Sequence, residues 1–161
     1  MKNLLPLLVL VAVSTIFAKC KKEEATDDKL YFRVKINGAD YVPSNCANCL
    51  DAQILGDTIF LLGANSGFAS VGFGILDKLG IRINQYPLDD NLNHRGDYKN
   101  GTLTNDRYFT DQNHTGRLFI TEKNVGTKTI KGTFYFRAYN AYRNNEVNVT
   151  EGAFHLNYTT N

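Results

Sequence analysis

The chain has 161 residues and a mass of 18.1 kDa, enough for one domain and too short for two of ordinary size. Hydrophobic residues make up 43% and charged residues 21%, with Tyr 9 and Phe 10, which excludes the apolar-poor, charge-rich composition of a disordered chain. Of the 18 basic residues, Lys2 and Lys19 precede Cys20 and no acid does, so from Cys20 onward 16 basic side chains meet 16 acidic ones. That balance argues against a nucleic-acid binder working through net charge.

Met1-Lys2-Asn3 is a short basic start, and Leu4 to Phe17 is an apolar run of 14 residues. This is the length of a signal-peptide core, and it falls short of the roughly 20 apolar residues a transmembrane helix needs. Residues 1–19 therefore read as an export signal. The string Phe17-Ala18-Lys19-Cys20-Lys21-Lys22-Glu23-Glu24 resembles the processing site of bacterial lipoproteins, particularly those of the Bacteroidota, with Lys19 and Phe17 departing from the usual small residue and Leu. The resemblance implies that Cys20 is acylated and that the charged residues after it send the protein to the outer leaflet of the outer membrane. The alternative is ordinary cleavage after Ala18, leaving Cys20 a free thiol. Residues 20–29 are polar and lack periodicity, so they read as a flexible tether, and residues 30–161 as one domain.

Leu30, Phe32, Val34 and Ile36 alternate with Tyr31, Arg33 and Lys35, a period of two that puts the apolar set on one face of a strand. Asn37-Gly38 predicts a hairpin, because a type I′ turn needs positive φ at both central residues. The return strand begins near Asp40 and stops at Pro43. Ala52–Leu55 and Thr58–Ala64 flank Gly56-Asp57 as a second hairpin, and the run Ile59-Phe60-Leu61-Leu62 suggests burial on both faces. Ala69, Val71, Phe73 and Ile75 form the next strand, with Gly72 and Gly74 on its other face leaving room for a bulge or a close backbone approach. Leu79, Ile81 and Ile83 predict a short strand, and Pro87 to Gly101 a loop with at most a short strand. Leu118 and Ile120 alternate, Asn124-Val125-Gly126 turns, and Ile130, Gly132, Phe134, Phe136 and Ala138 make one long alternating face. After the loop Asn140 to Asn145 come Val147 and Val149, a turn or bulge at Glu151-Gly152, and a last strand through Phe154, Leu156 and Tyr158. Turn signals every 8 to 12 residues or so, with no long helical period, predict an all-β antiparallel sandwich of about eight to ten strands, a small closed barrel being the alternative.

The pieces Phe32-Arg33-Val34-Lys35-Ile36-Asn37-Gly38, Gly96-Asp97-Tyr98, Gly116-Arg117-Leu118-Phe119-Ile120-Thr121, Ile130-Lys131-Gly132-Thr133-Phe134-Tyr135-Phe136 and Val149-Thr150-Glu151-Gly152-Ala153-Phe154, in that order, resemble an uncharacterised family of small Bacteroidota surface lipoproteins. What the resemblance implies is an exported, lipid-anchored all-β domain without an assigned activity, and so no catalytic residues to carry over.

Cys46-Ala47-Asn48-Cys49 is the one C-x-x-C. In an exported chain it reads first as a disulfide closing a tiny ring. A redox site would need a helix to lower the first thiol's pKa, and a zinc site would need two more ligands at suitable spacing. His94, His114 and His155 are isolated and read as solvated. Asp89-Asp90-Asn91-Leu92-Asn93 starts like a calcium loop but has His94 where Gly belongs and Asn100 where Glu belongs, so it reads as a polar loop. Nucleophile-elbow and glycine-rich phosphate motifs are absent from the sequence, and no cofactor or metal is expected. The Asn-x-Thr sequons, such as Asn100-Gly101-Thr102, read as chance in a bacterial chain, and Asp57-Thr58-Ile59 resembles a Bacteroidota O-glycosylation motif. The segment Tyr139-Asn140-Ala141-Tyr142-Arg143 places two aromatic rings and a guanidinium near a turn, making Tyr139, Tyr142 and Arg143 the candidate ligand-binding residues for a glycan or a protein. The expected function is a non-enzymatic binding or structural module anchored to the cell envelope, with a small hydrolase as the rival.

Overall fold

In the computed structural model, residues 29–45, 49–90 and 93–161 are described. They are all-β apart from a one-turn 3-10 helix, Thr104–Asp106. The strands are β1 Tyr31–Ile36, β2 Ala39–Tyr41, β3 Leu50–Leu55, β4 Ile59–Ser66, β5 Ala69–Leu76, β6 Asn84–Leu88, β7 Arg95–Asn100, β8 Arg107–Phe109, β9 Gly116–Asn124, β10 Thr129–Asn140, β11 Asn145–Asn157 and β12 Thr159–Thr160. They form a single 12-stranded sheet in the order β12-β3-β4-β5-β7-β8-β10-β11-β1-β2, with β9 branching from β10 and β6 from β9. The path is open, so the barrel alternative does not apply. All pairings are antiparallel except β12 on β3, which runs parallel and makes the sheet mixed. The expected sandwich is thus realised as one continuous sheet folded over on itself.

Rings from strands that share no ladder meet in the core: Phe73 of β5 packs on Phe134 of β10 at 5.2 Å between centroids, and Phe60 of β4 on Phe154 of β11 at 6.2 Å. Each such ring removed from water stabilises the fold by about 1.5–3 kcal/mol. The long alternating face behaves as predicted, with Ile130, Phe134, Phe136 and Ala138 all buried. Asn37 and Gly38 take φ of 50° and 83° and join β1 to β2 as the type I′ signal requires. At Glu151, φ 54°, the β10–β11 and β1–β11 ladders both slip register, so the Glu151-Gly152 feature is a bulge.

Other expectations change. The run from Ile59 to Leu62 is buried on one face only, because a single layer covers β4: Phe60 and Leu62 point inward and Leu61 is 40% exposed. Gly72 lies opposite Gly63 in an unbroken β4–β5 ladder, where a Cβ would strike the Leu62 carbonyl; the glycine serves a close approach and not a bulge. No strand forms at Leu79–Ile83, where only Ile81 is buried. The stretch from Pro87 to Gly101, expected as a loop with at most a short strand, contributes the end of β6 and the six-residue β7. Pro87 fits because β6 pairs on one side only, with β9, and so has a free edge for a residue without an N–H.

The registers fix two ends. The turns 37–38, 67–68 and 141–144 and the segment 101–106 lie at one end, since β1 finishes with Ile36 opposite Val149, and β5 begins with Ala69 opposite Asn100. At the other end β1 begins, with Tyr31 opposite His155 near the far end of β11.

Candidate functional site

The β10–β11 hairpin is shaped by Asn140. Its Oδ1 accepts from the N–H of Tyr142 at 3.0 Å and of Arg143 at 2.9 Å, and its Nδ2 donates to the Asn105 carbonyl at 2.8 Å. Arg143 closes on the carboxylate of Asp106, a buried acid that also accepts from the Leu103 N–H at 3.0 Å. Asp106 in turn covers Gly101, whose φ of 143° and lack of room for a Cβ require glycine. The Leu103 N–H, and after it Arg143, hold the Asp106 carboxyl below its ordinary range against the opposing effect of burial.

This geometry divides the three predicted residues. Arg143 is occupied as a clamp between two loops. Tyr139 stacks on His114, with ring centroids 4.7 Å apart and planes 8° apart, and its hydroxyl is 2.5 Å from Asn144 Oδ1. Only Tyr142 projects, at 77% exposure. It is joined at the same end by Phe68 (75%) and Leu103 (59%), neither of which sequence reasoning singled out. Their signal was an apolar residue at a turn tip, where alternation has stopped and no strand face can claim it. The tips are tied together: the Gly101 N–H donates to the Phe68 carbonyl at 3.2 Å, and the Gly67 N–H to Ser44 Oγ at 3.1 Å. Tyr41 anchors the base, donating to the carbonyls of Ala64 and Ala69 at 2.8 and 3.0 Å, and burial, then nearby Tyr98, pushes its hydroxyl pKa up to about 12.

The histidines are not the solvated groups expected. His94 is buried, its ring nitrogens 2.9 Å from the Leu76 carbonyl and 3.2 Å from that of Pro87, so it staples β5 to β6. His155 is 4% exposed on β11, screened by its ladder neighbours Tyr31 and Lys131. His114 places Nδ1 2.9 Å from Asp111 and Nε2 3.7 Å from Glu146. Burial pushes the Asp111 carboxyl up, but the hydrogen bonds from the His114 side chain and from the His114 and Asn113 amides outweigh it and leave the carboxyl below its ordinary range. An oriented imidazole of this kind is half of a nucleophilic site. Among the described residues, however, the partner at Nε2 is a carboxylate and not a hydroxyl or thiol.

A groove of about 710 Å³ beside β2 is crossed by the Lys35–Glu151 ion pair, 2.8 Å. Asp90 and Asn93 are turn residues with φ near 60°, and among the described residues no group of three His, Cys, Asp or Glu side chains could hold a metal. Cys20 and Cys46 lie outside the described residues. Cys49 is buried just before β3.

These features define a small all-β domain with hydrogen-bonded loops that carry exposed apolar side chains at one end. Residues 44–156 match DUF6252, a domain of unknown function, and the chain belongs to that family. Neither a curated protein nor a solved structure matches it.

Proposed function

We propose that the protein is a non-enzymatic binding module of the cell envelope, exported, tethered to the outer membrane through a lipid on Cys20 and presenting its loop end outward to a protein partner. The observation that carries this reading is the grouping of Tyr142, Phe68 and Leu103 at the end of the sheet away from Tyr31, where the chain from Cys20 joins the domain. Exposed aliphatic side chains, Leu79, Val125 and Ile83, stand at the tether end too, but the two most exposed aromatic rings among the described residues, Tyr142 and Phe68, are both at the loop end, and aromatic anchors on braced loops lose little freedom on binding. Clamping by Arg143–Asp106 and Asn140 supplies that bracing. A glycan is the second reading, favoured by the open Tyr142 and Phe68 rings, on which a sugar face can stack. The hydrolase rival has the His114–Asp111 pair but lacks a nucleophile beside it among the described residues.

The test is site-specific photo-cross-linking in cells, with the reactive side chain at position 142 or 68 and, as a control, at 79, which is 80% exposed at the other end. A discrete adduct from 142 and 68 but not 79 is expected. The absence of any adduct, together with silence on a glycan array, would remove the binding reading.

A further inference from the structure

At the end where the N-terminal chain joins, the outward faces of three strands bring unlike groups into one row. Tyr31 of β1 lies opposite His155 of β11, and His155 lies opposite Lys131 of β10. Arg33 stands one row further along β1, its guanidinium 5.6 Å from the centre of the Tyr31 ring. Lys29, Tyr31, Arg33 and Lys131 line a pocket of about 500 Å³. Among the described residues the ion pair of this group is Lys131 with Glu122, at 3.1 Å; Lys29 and Arg33 have no carboxylate partner. Among the described residues, three cations therefore share one acid.

A second observation is independent of charge. His155, placed between Tyr31 and Lys131, has a buried Nδ1 with no hydrogen-bond partner, the one such side-chain atom among the described residues. Buried polar atoms are almost always satisfied, and an exception calls for a missing partner. The pocket itself offers a guanidinium fork, two ammonium groups and an aromatic wall, the Tyr31 ring, which packs edge-on to the His155 imidazole at 6.3 Å between centroids; that cationic lining suits a compact anion with three or more oxygens better than a carboxylate with two.

We infer that this pocket binds a phosphate group. The phosphate of a lipid headgroup and that of a soluble phosphomonoester present the same oxygens. The headgroup is the nearer source if Cys20 is acylated, because residues 20–29 span at most about 35 Å when extended. Assigning the phosphate to the membrane rests on the anchored reading above; the affinity for phosphate does not.

Two arms test this. In the first, the full chain in detergent is titrated with inorganic phosphate while the side-chain resonances of His155 and Arg33 are followed. Saturable shifts are expected, with Arg33→Gln and Lys131→Gln each weakening binding about tenfold and Glu122→Gln, which frees Lys131, tightening it. No saturable shift, or an affinity unchanged in both glutamine variants of the cations, overturns the proposal. In the second arm, full chain carrying Cys20→Ala is sedimented with vesicles of phosphatidylcholine alone or mixed with phosphatidylglycerol. Retention on the mixed vesicles that falls with Arg33→Gln assigns the headgroup. Phosphate binding without Arg33-dependent retention keeps the pocket and overturns the membrane as its source. A missing lipid label on wild-type protein sinks the anchored reading and leaves the first arm untouched.

Discussion

The guanidinium of Arg143 closes on the carboxylate of Asp106, 37 positions earlier in the chain, and ties the tip of the β10–β11 hairpin to the turn that leads into β8. A residue that looks available for ligands in the sequence is thereby committed to holding the loop that presents Tyr142.

The pairing has a pH signature. The Asp106 carboxyl lies below its ordinary value of 3.8, first through the Leu103 N–H and then through Arg143. A carboxyl lowered by folding adds stability that is complete above its unfolded value and is lost as pH falls through the folded one. Arg143→Gln removes part of the lowering, so its stability is expected to fall less steeply on acidification below about pH 4. At neutral pH the amides of residues 141–144 are expected to exchange faster. Urea melts across pH and hydrogen exchange measure both; superimposable acid limbs would refute the coupling.

Phe154 is fully buried and its ring lies within 6.3 Å, between centroids, of Phe60, Phe73 and Phe134. Because those rings come from both halves of the folded-over sheet, Phe154→Ala is expected to cost about 3–5 kcal/mol in chemical denaturation. Leu61→Ala, on the outer face of β4, is expected to change stability by no more than about 0.5 kcal/mol. Similar losses for the two would contradict the one-sided burial of β4.

An intramolecular bond between Cys46 and Cys49 is expected in protein produced in an oxidising compartment. With Cys20→Ala in place, the intact mass before reduction should be lower by two hydrogens than after it. Two thiols that alkylate without reductant would rule the bond out.

Lipid on Cys20 is the expectation that decides where the molecule works. Metabolic labelling with a fatty-acid analogue should mark the wild-type chain and leave Cys20→Ala unmarked, and equal absence of label in both would overturn the lipid anchor. More than one acyl chain is needed for a lasting hold, since a single chain binds reversibly.

Signals confined to a few neighbouring residues were legible in the sequence. Asn37-Gly38 could be read as a turn because positive φ at two successive residues is a local steric demand that few dipeptides meet. The alternation from Ile130 to Ala138 could be read as a buried face because a period of two belongs to the strand itself. The sequence by itself thus determined an all-β chain, the place of its firmest hairpin, its longest inward face and the bulge region at Glu151-Gly152.

What the tertiary structure alone decided depends on which strand lies beside which. β7 carries too few apolar residues to announce itself, with Gly96 and Tyr98 as its buried positions, and it exists because β5 and β8 pair with it on either side. His155 is buried because Tyr31 and Lys131, more than a hundred and some twenty residues away respectively, are brought to its flanks. Tyr139, Tyr142 and Arg143 are near neighbours in sequence, yet the fold gives them three fates: one stacks on His114, one projects, one clamps Asp106. Ladder partners and ion pairs of this kind follow from long-range pairing of whole strands, which no local period or turn signal records.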